Sequence, residues 1–228
     1  MTTTSYAVLG YLAIKPWTTY ELVQQVNLSL RRVWPRAQSK LYEEPKKLVG
    51  LGYARVVEEP IGKRRRRRYT ITRKGRRALA AWLQESGGGP QLEFEQLLKI
   101  HFADSGSKQT VLSALAAIQD WVQEENQQNL VMGRLYLAGQ GAFPQRAALN
   151  QLGGRFLTDF YAMVADWAEW ATAIVQDWPD DPRQAVLDQA AQEESVRIAE
   201  RIAAADPTPV DDDQRLSSPH VAGVDPAE

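Results

Sequence analysis

The first fourteen residues carry apolar positions at helical spacing. Residues 5–14 place four apolar side chains on one helical stripe, namely Val8, Leu9, Leu12 and Ala13. Lys15-Pro16 ends this segment, because proline lacks an amide donor and disfavours helix in the residue before it. The pattern therefore predicts a first helix over residues 5–14.

A second helix is predicted to begin after Thr18. Thr18 and Glu21 have the spacing of a capping box, in which each side chain accepts a hydrogen bond from the backbone amide of the other. Trp17 and Leu22 lie where a hydrophobic staple closes the same turn. Leu22, Val23 and Val26 are then expected to face inward.

The segment from Arg36 to Val49 is predicted to form a third helix with two faces, ending at Gly50 and Gly52. The apolar face carries Ala37, Leu41 and Leu48, and the polar face carries Gln38, Ser39, Tyr42 and Lys46. These polar groups suit base edges or phosphates in a major groove, although an ordinary exposed helix face is the alternative. Because Pro45 deletes the bond to the Leu41 carbonyl, we expect a bend or a short irregularity there.

Residues 53–72 predict a β-hairpin with a cationic tip. Two β-branched, alternating segments flank a turn signal at Pro60-Ile61-Gly62. Six consecutive cations follow it: Lys63, Arg64, Arg65, Arg66, Arg67 and Arg68. Neighbouring guanidiniums repel one another and suit phosphate oxygens, so the hairpin is expected to lie against a polyanion, most plausibly DNA. A solvated loop, RNA, an acidic protein, a membrane surface or a nuclear import receptor are the alternatives.

A further helix is predicted from Arg73, with Ala78, Leu79, Trp82 and Leu83 directed inward. Three helices, a hairpin and a helix form the order of a winged helix-turn-helix, in which the hairpin is the wing. The basic half of the chain is therefore expected to adopt that fold.

The second half predicts a bundle of helices. Residues 92–102 form a short amphipathic helix, and a long helix follows that breaks near Gly139 and Gly141. Its apolar positions are Val111, Leu112, Leu115, Ile118, Val122, Leu130, Val131 and Leu135. The next long helix carries Leu149, Leu152, Phe156, Phe160, Met163, Trp167, Trp170, Ile174 and Trp178. This stripe advances by alternating threes and fours, which predicts that it packs against a partner helix.

Asp181 is predicted to cap a fourth helix of this bundle, with Pro182 at its first position. Its inward positions are Leu187, Ala191, Ile198 and Ile202. From Asp206 onward Pro, Asp, Ser and Gly dominate, so a disordered tail is expected. Gly87-Gly88-Gly89-Pro90 marks a hinge.

The expected organisation is a winged helix-turn-helix DNA-binding domain over 1–86, a hinge over 87–91, a helical dimerisation and effector domain over 92–205, and a tail over 206–228. The fold class is mostly α, with a small β-hairpin wing in the N-terminal domain and a C-terminal antiparallel helical dimerisation domain.

Charge divides the chain at the same place. Residues 1–83 hold 18 Lys and Arg against 5 Asp and Glu, a net of +13, while the remainder holds 9 against 23, a net of −14. This asymmetry predicts a basic nucleic-acid module joined to an acidic module with another task. The absence of cysteine excludes thiol nucleophiles, disulfides and thiolate zinc sites. With no leader and no long apolar window, a cytoplasmic, nucleoid-associated protein without membrane contact is expected.

Several ordered motifs resemble the PadR family of bacterial transcriptional regulators. They are residues 6–12 (YAVLGYL), residues 16–22 (PWTTYEL), Leu41-Tyr42 with Lys47-Leu48, Leu51-Gly52-Tyr53, and residues 68–72 (RYTIT) with Lys74-Gly75. The match covers about the first 84 residues. Leu97-Leu98-Lys99 resembles the opening of the family's long-type C-terminal domain, which is related to virulence activators. Two residues depart from the family pattern: Thr19 replaces the usual glycine, and Pro45 interrupts the third helix.

The resemblance implies a homodimeric repressor that binds a pseudo-palindromic operator in double-stranded DNA and needs no cofactor. Its third helix would enter the major groove and its wing would lie beside the backbone. Tyr42 and Tyr69 occupy the positions of the family's recognition-helix and wing tyrosines. The predicted DNA contacts are Gln38, Ser39, Tyr42, Lys46, Lys63, Arg64, Arg65, Arg66, Arg67, Arg68 and Tyr69.

The resemblance also adds a small aromatic effector that would relieve repression, since relatives respond to aromatic or drug-like molecules. The residues expected at an effector site or dimer interface are Trp121, Phe160, Met163, Trp167 and Trp170. Plain core packing is the alternative for these side chains, because aromatic residues at helical spacing usually fill cores.

A nonspecific RNA-associated or scaffolding protein, with a basic loop and partner-recruiting helices, is the alternative from another functional class. An enzyme finds no support, because the chain offers no coherent set of nucleophile, base and oxyanion donors. The two histidines, His101 and His220, support neither a metal site nor a histidine-based catalytic set.

Overall fold

The computed structural model describes residues 1–35, 38–61 and 64–205, with only the backbone described at 60, 61, 64 and 65. Arg36, Ala37, Gly62 and Lys63 lie outside the described residues, and so does the tail predicted over 206–228. The chain divides into two compact units, Met1–Gln91 and Leu92–Glu228. We call them unit 1 and unit 2 and describe each by itself.

Unit 1 has the element order of a winged helix-turn-helix, as predicted. Its elements are α1 (Thr3–Ile14), α2 (Thr19–Leu30), α3 (Gln38–Gly50), β1 (Ala54–Ile61), β2 (Arg64–Ile71) and α4 (Arg73–Trp82). Helix α1 begins two residues earlier than expected, because the Thr2 side chain accepts a hydrogen bond from the Ser5 amide and caps it. Helix α2 begins with the predicted capping box of Thr18 and Glu21.

The core of unit 1 lies where α1, α2 and α3 meet the base of the hairpin. Its most deeply buried apolar side chains are Val8, Leu9, Leu12, Trp17, Leu22, Val23, Val26, Leu41 and Leu48. Trp82 of α4 stacks on Tyr6 of α1 with ring centroids 4.8 Å apart, which holds α4 against α1. Leu83 follows the end of α4 and is exposed, so its predicted inward position is wrong.

Helix α3 continues through Pro45 without the predicted irregularity. Proline has a φ close to the helical value, and Pro45 is fully buried, so packing holds the backbone in place of the missing hydrogen bond. The same face buries a polar pair that joins α3 to α1: Ser5 Oγ donates to Glu44 Oε1. A buried hydrogen bond to a charged group is worth about 1.5–3 kcal/mol.

Strand β1 of the hairpin extends further toward the tip than predicted. Strands β1 and β2 pair antiparallel from Ala54 opposite Ile71 to Ile61 opposite Arg64. Pro60 and Ile61 therefore lie in β1 rather than in a turn, which a two-stranded ribbon tolerates because both of its strands are edges. As a result, the arginines at 64–68 run along β2 instead of clustering at the tip.

A single backbone bridge between Trp17 and Tyr69 anchors the base of the wing. The Trp17 and Tyr69 amides each donate to the carbonyl of the other, at 3.0 and 2.7 Å. This pair places β2 directly beside the residue that precedes the α2 cap. The wing is therefore anchored to the start of α2 through its backbone.

Unit 2 is built on two long helices. Its elements are α5 (Glu95–His101), a 3-10 turn (Ala103–Ser105), α6 (Lys108–Leu137), a 3-10 turn (Pro144–Arg146), α7 (Ala147–Gln176), a 3-10 turn (Pro182–Gln184) and α8 (Gln189–Ala204). Lys108 Nζ at the start of α6 donates to the Gln176 and Trp178 carbonyls at the end of α7, at 2.9 and 2.8 Å. The two helices are therefore antiparallel.

The buried seam of α7 lies beside the stripe that the sequence predicts. It consists of Tyr161, Val164, Ala168, Ala171 and Val175, which pack against Val111, Leu115, Ile118 and Val122 of α6. At 100° per residue this seam lies about 100° around the helix from the predicted stripe. Small residues such as Ala168 and Ala171 let two helices approach closely, whereas bulky aromatic side chains keep them apart. The predicted stripe is therefore not the intramolecular seam.

The predicted fourth helix begins at the wrong residue and does not complete the bundle. Asp181 caps only the short 3-10 turn, where it holds Arg183 at 2.9 Å, and Asp188 caps α8. In α8 the structure buries no residue, and Ile198 and Ile202 are exposed. Within residues 1–35, 38–61 and 64–205, no helix has the length and apolar character needed to cross a membrane.

Replacing Gly75 by alanine tests how α4 joins the wing. A Cβ atom at this position would lie 2.1 Å from the Tyr53 carbonyl oxygen, so we expect Gly75→Ala to lower the free energy of unfolding by about 2 kcal/mol. Gly10→Ala in α1 is the control, because a Cβ atom there meets nothing within 4 Å, and alanine favours a helix. Urea unfolding measures both, and equal stabilities of the two variants would contradict the close approach.

Candidate nucleic-acid interface

Helix α3 presents the predicted polar face to solvent. Gln38, Ser39, Tyr42 and Lys46 are exposed, whereas Leu41 and Leu48 on the other side are buried. The Glu43 carboxylate lies 3.5 Å from Lys46 Nζ, an exposed pair that adds little stability. The four predicted side chains can therefore reach a ligand from a helix whose opposite face is fixed in the core.

The wing strand β2 divides its arginines between two faces, because successive side chains of a strand point in opposite directions. Arg67 has 71% of its side chain exposed, and its Nε lies 3.4 Å from Glu58 on β1. Arg66 and Arg68 are less exposed, at 37% and 26%. The uniform row of free guanidiniums that the sequence suggests is therefore not what the structure shows.

Glu21 of α2 receives the two less exposed arginines. Arg66 Nη2 pairs with Glu21 Oε1, and Arg68 Nη2 lies 3.7 Å from the same oxygen. Arg68 Nε also lies 3.2 Å from Glu59 Oε2 on β1. We call Glu21, Arg66, Arg68 and Glu59 the wing ion-pair cluster.

The capping box holds Glu21 in this position. Its Oε2 accepts a hydrogen bond from the Thr18 amide at 2.9 Å, while its own amide donates to Thr18 Oγ1 at 3.2 Å. The hydrogen bond from the Thr18 amide lowers the pKa of Glu21 below its usual 4.5, and the Thr18 side chain, Arg66 and Arg68 lower it further. One carboxylate therefore caps α2 and binds the wing.

Tyr69 is buried, with 6% of its surface exposed, so the structure does not present this side chain on the surface as the predicted DNA contact requires. Its backbone pairs with that of Trp17, and Tyr69 is one of the buried core residues of unit 1. The predicted contacts of Lys63 fall outside the described residues, as do the side chains of Arg64 and Arg65.

The residues predicted for an effector site or dimer interface fall into two environments. Trp121 contacts the ring edges of Phe160 and Tyr161, with centroids 6.4 and 5.9 Å away, and it packs with Trp167 against the core of unit 2. Met163 and Trp170 are exposed. Three of the five side chains therefore pack against the core of unit 2, and the other two lie on its surface.

Sequence reasoning did not assign Glu21, Glu58 and Glu59 to the site. The capping box explained Glu21 as a local feature of α2, and nothing in the chain order reveals that β2 passes beside it. The hairpin register would have signalled that Glu58 lies opposite Arg67, once the turn was placed correctly.

A family model matches the part of the chain that contains α3 and the wing. Residues 8–81 match the model described as the transcriptional regulator PadR-like family. The chain carries a PadR-like domain. Among curated proteins, none matches the chain in sequence.

Solved structures resemble this chain over a longer stretch than that domain. Bacillus subtilis PadR in complex with operator DNA is 22% identical, with a TM-score of 0.68 over 76% of this chain and 99% of that one. The Bacillus cereus PadR-like regulator BC1756 is 13% identical, with a TM-score of 0.64 over 76% and 98%. The Vibrio cholerae virulence activator AphA is 18% identical, with a TM-score of 0.52 over 75% and 96%. At these identities the likeness is one of fold.

The lowered pKa of Glu21 predicts how pH affects stability. Because the folded state favours the carboxylate, Glu21 stabilises the PadR-like domain fully above its unfolded pKa near 4.5, and this contribution is lost as the pH falls through the folded pKa. We expect the stability difference between the wild type and Glu21→Gln to be constant near neutral pH and to shrink below about 4.5. Urea unfolding across a pH series measures it, and a difference that does not change with pH would contradict the lowered pKa of Glu21.

Proposed function

We propose that this protein is a DNA-binding transcriptional regulator that binds double-stranded DNA through α3 and the wing. The observation that carries the proposal is that one PadR-like unit presents an exposed polar helix face together with an arginine-lined hairpin. Bacillus subtilis PadR, which shares the fold, has been crystallised with operator DNA. Such a regulator works on the chromosome, which places it in the cytoplasm.

The two surfaces suit different parts of the DNA. Gln38 and Tyr42 carry neutral donors and acceptors, which read base edges in the major groove. Arg67, with most of its side chain exposed, suits phosphate oxygens, which supply affinity but no sequence information. In this proposal α3 selects the operator, and the wing adds electrostatic affinity.

The exposed stripe of α7 supports a homodimer. Leu149, Leu152, Phe156, Met163 and Trp170 lie on one side of the helix and are all exposed within unit 2. Contiguous apolar surface of this kind marks an interface between proteins. A two-fold dimer would set two winged units about 34 Å apart on a pseudo-palindromic operator.

Repression with release by a small aromatic molecule completes the proposal. Bacillus subtilis PadR has been crystallised with p-coumaric acid, an aromatic carboxylic acid. In the present chain the half-buried rings of Trp121, Phe160 and Trp167 are the groups that would receive an aromatic ligand in unit 2. Ligand binding there would change the spacing of the two units that bind DNA.

Substitutions in α3 and the wing should affect DNA binding differently. We expect Gln38→Ala with Tyr42→Phe to reduce operator affinity by about tenfold or more and to leave affinity for random duplex nearly unchanged, because lost base contacts cost about 1–3 kcal/mol each. The operator is first obtained by selection from random duplexes, and titration by fluorescence anisotropy then measures both affinities. Single-stranded RNA serves as a competitor.

Arg67→Ala is the matched variant for the wing. We expect it to weaken binding to operator and random duplex alike and to shallow the slope of log K against log salt by up to about 0.9. An unchanged slope would show that Arg67 does not contact DNA phosphates. If the α3 variant lost equal affinity for operator and for random duplex, α3 would not be the element that contacts base edges.

Substitutions in the exposed stripe of α7 test the proposed homodimer. We expect Leu152→Glu with Phe156→Glu to convert a dimer into a monomer, because burying two carboxylates in an apolar interface is costly. Sedimentation equilibrium measures the mass. Ala162→Glu is the control, since Ala162 is exposed about 120° around α7 from the stripe. A wild-type monomer, or a double variant that still dimerises, would contradict this interface.

A further inference from the structure

Each described arginine of the wing at positions 66–68 already has a carboxylate partner within the protein. Arg67 pairs with Glu58 across the hairpin, while Arg66 and Arg68 pair with Glu21 of α2. The Glu58 pair lies within one exposed ribbon and can separate easily. The Glu21 pairs join two different elements of unit 1.

Glu21 is a stationary partner. Its carboxylate is tied to the Thr18 amide at 2.9 Å, and its own backbone lies in the first turn of α2. The wing beside it is also tied, through the backbone pair of Trp17 and Tyr69. The Glu21 carboxylate and the backbone of β2 are therefore both held in place, and the two arginines lie close to Glu21 in the free protein.

A paired guanidinium contributes less to nonspecific DNA binding. Such binding comes almost entirely from cations that neutralise phosphates and release counterions. An arginine held by a fixed carboxylate must exchange that partner for a phosphate, and the net charge offered to the DNA is smaller. Because specificity is a difference between two affinities, a feature that weakens nonspecific binding raises it.

We propose that Glu21 holds Arg66 and Arg68 in ion pairs, which weakens nonspecific DNA binding. Glu21 is thereby a specificity-determining residue. This inference rests on the DNA binding proposed above. It adds that the Glu21 carboxylate competes with DNA phosphates for the two arginines. In this proposal Arg67 contacts phosphates, while Arg66 and Arg68 remain paired with Glu21. Glu59, 3.2 Å from Arg68 Nε, supports the same restraint from β1.

The substitution Glu21→Gln separates the two roles of this residue, which are capping α2 and pairing with the wing arginines. The amide oxygen of glutamine can accept the hydrogen bond from the Thr18 amide as the carboxylate does, because capping boxes accept either Glu or Gln. The negative charge that holds the arginines is lost. Thr18→Ala is the matched control, since it removes the hydroxyl of the cap and leaves the carboxylate of Glu21 in place.

The test compares full-length wild type, Glu21→Gln and Thr18→Ala on random duplex and on the selected operator across a salt series. For Glu21→Gln we expect random-duplex affinity to rise about threefold or more, with a salt slope steeper by up to about 1.8 for two released arginines. The ratio of operator to random affinity should fall. Thr18→Ala should keep the wild-type slope, and thermal melting checks that both variants fold.

Combining Glu21→Gln with Arg66→Ala and Arg68→Ala identifies the source of the gain. In that background the loss of the carboxylate should no longer raise random-duplex affinity. Unchanged or weaker random-duplex binding by folded Glu21→Gln would overturn the inference. Failure of the wild type to enrich any duplex sequence would instead overturn the proposed function, so the two failures are distinguishable.

Discussion

The attachment of the wing to the first turn of α2 is the constraint on which the rest of unit 1 depends. Two backbone hydrogen bonds between Trp17 and Tyr69 fix the base of β2, and the Glu21 carboxylate holds Arg66 and Arg68 beside α2. An isolated two-stranded hairpin is at best marginally stable in water. The wing therefore takes its position from α2, and carboxylates offset part of the repulsion among the adjacent cations Arg66, Arg67 and Arg68.

The third helix is oriented by a different set of contacts. Leu41 and Leu48 are buried in the core, and the Glu44 carboxylate accepts a hydrogen bond from Ser5 of α1 in a site where an unpaired charge would be costly. Pro45 fits the buried face without breaking the helix. Because these anchors lie on one side, Gln38 and Tyr42 remain on the other, and a rigid scaffold presents them to a ligand.

Unit 2 follows the same logic with apolar contacts. Helix α7 has one buried seam that packs against α6, and a second apolar stripe of which Leu149, Leu152, Phe156, Met163 and Trp170 remain exposed. A single antiparallel pair of helices cannot cover both faces. The second face, including Phe156 and Trp170, therefore needs a further surface, which in our proposal a second copy of the chain supplies.

The sequence by itself determined the order of elements, the capping box at Thr18, the antiparallel long helices and the PadR-like motifs, because each depends on residues that are close in the chain. It did not determine the hairpin turn, the start of α8 or which face of α7 is buried, since several local patterns competed there. Only the tertiary structure decided that Tyr69 is a core residue and that Glu21 meets Arg66. Those contacts join residues about fifty positions apart, and long-range packing leaves no signature in local spacing.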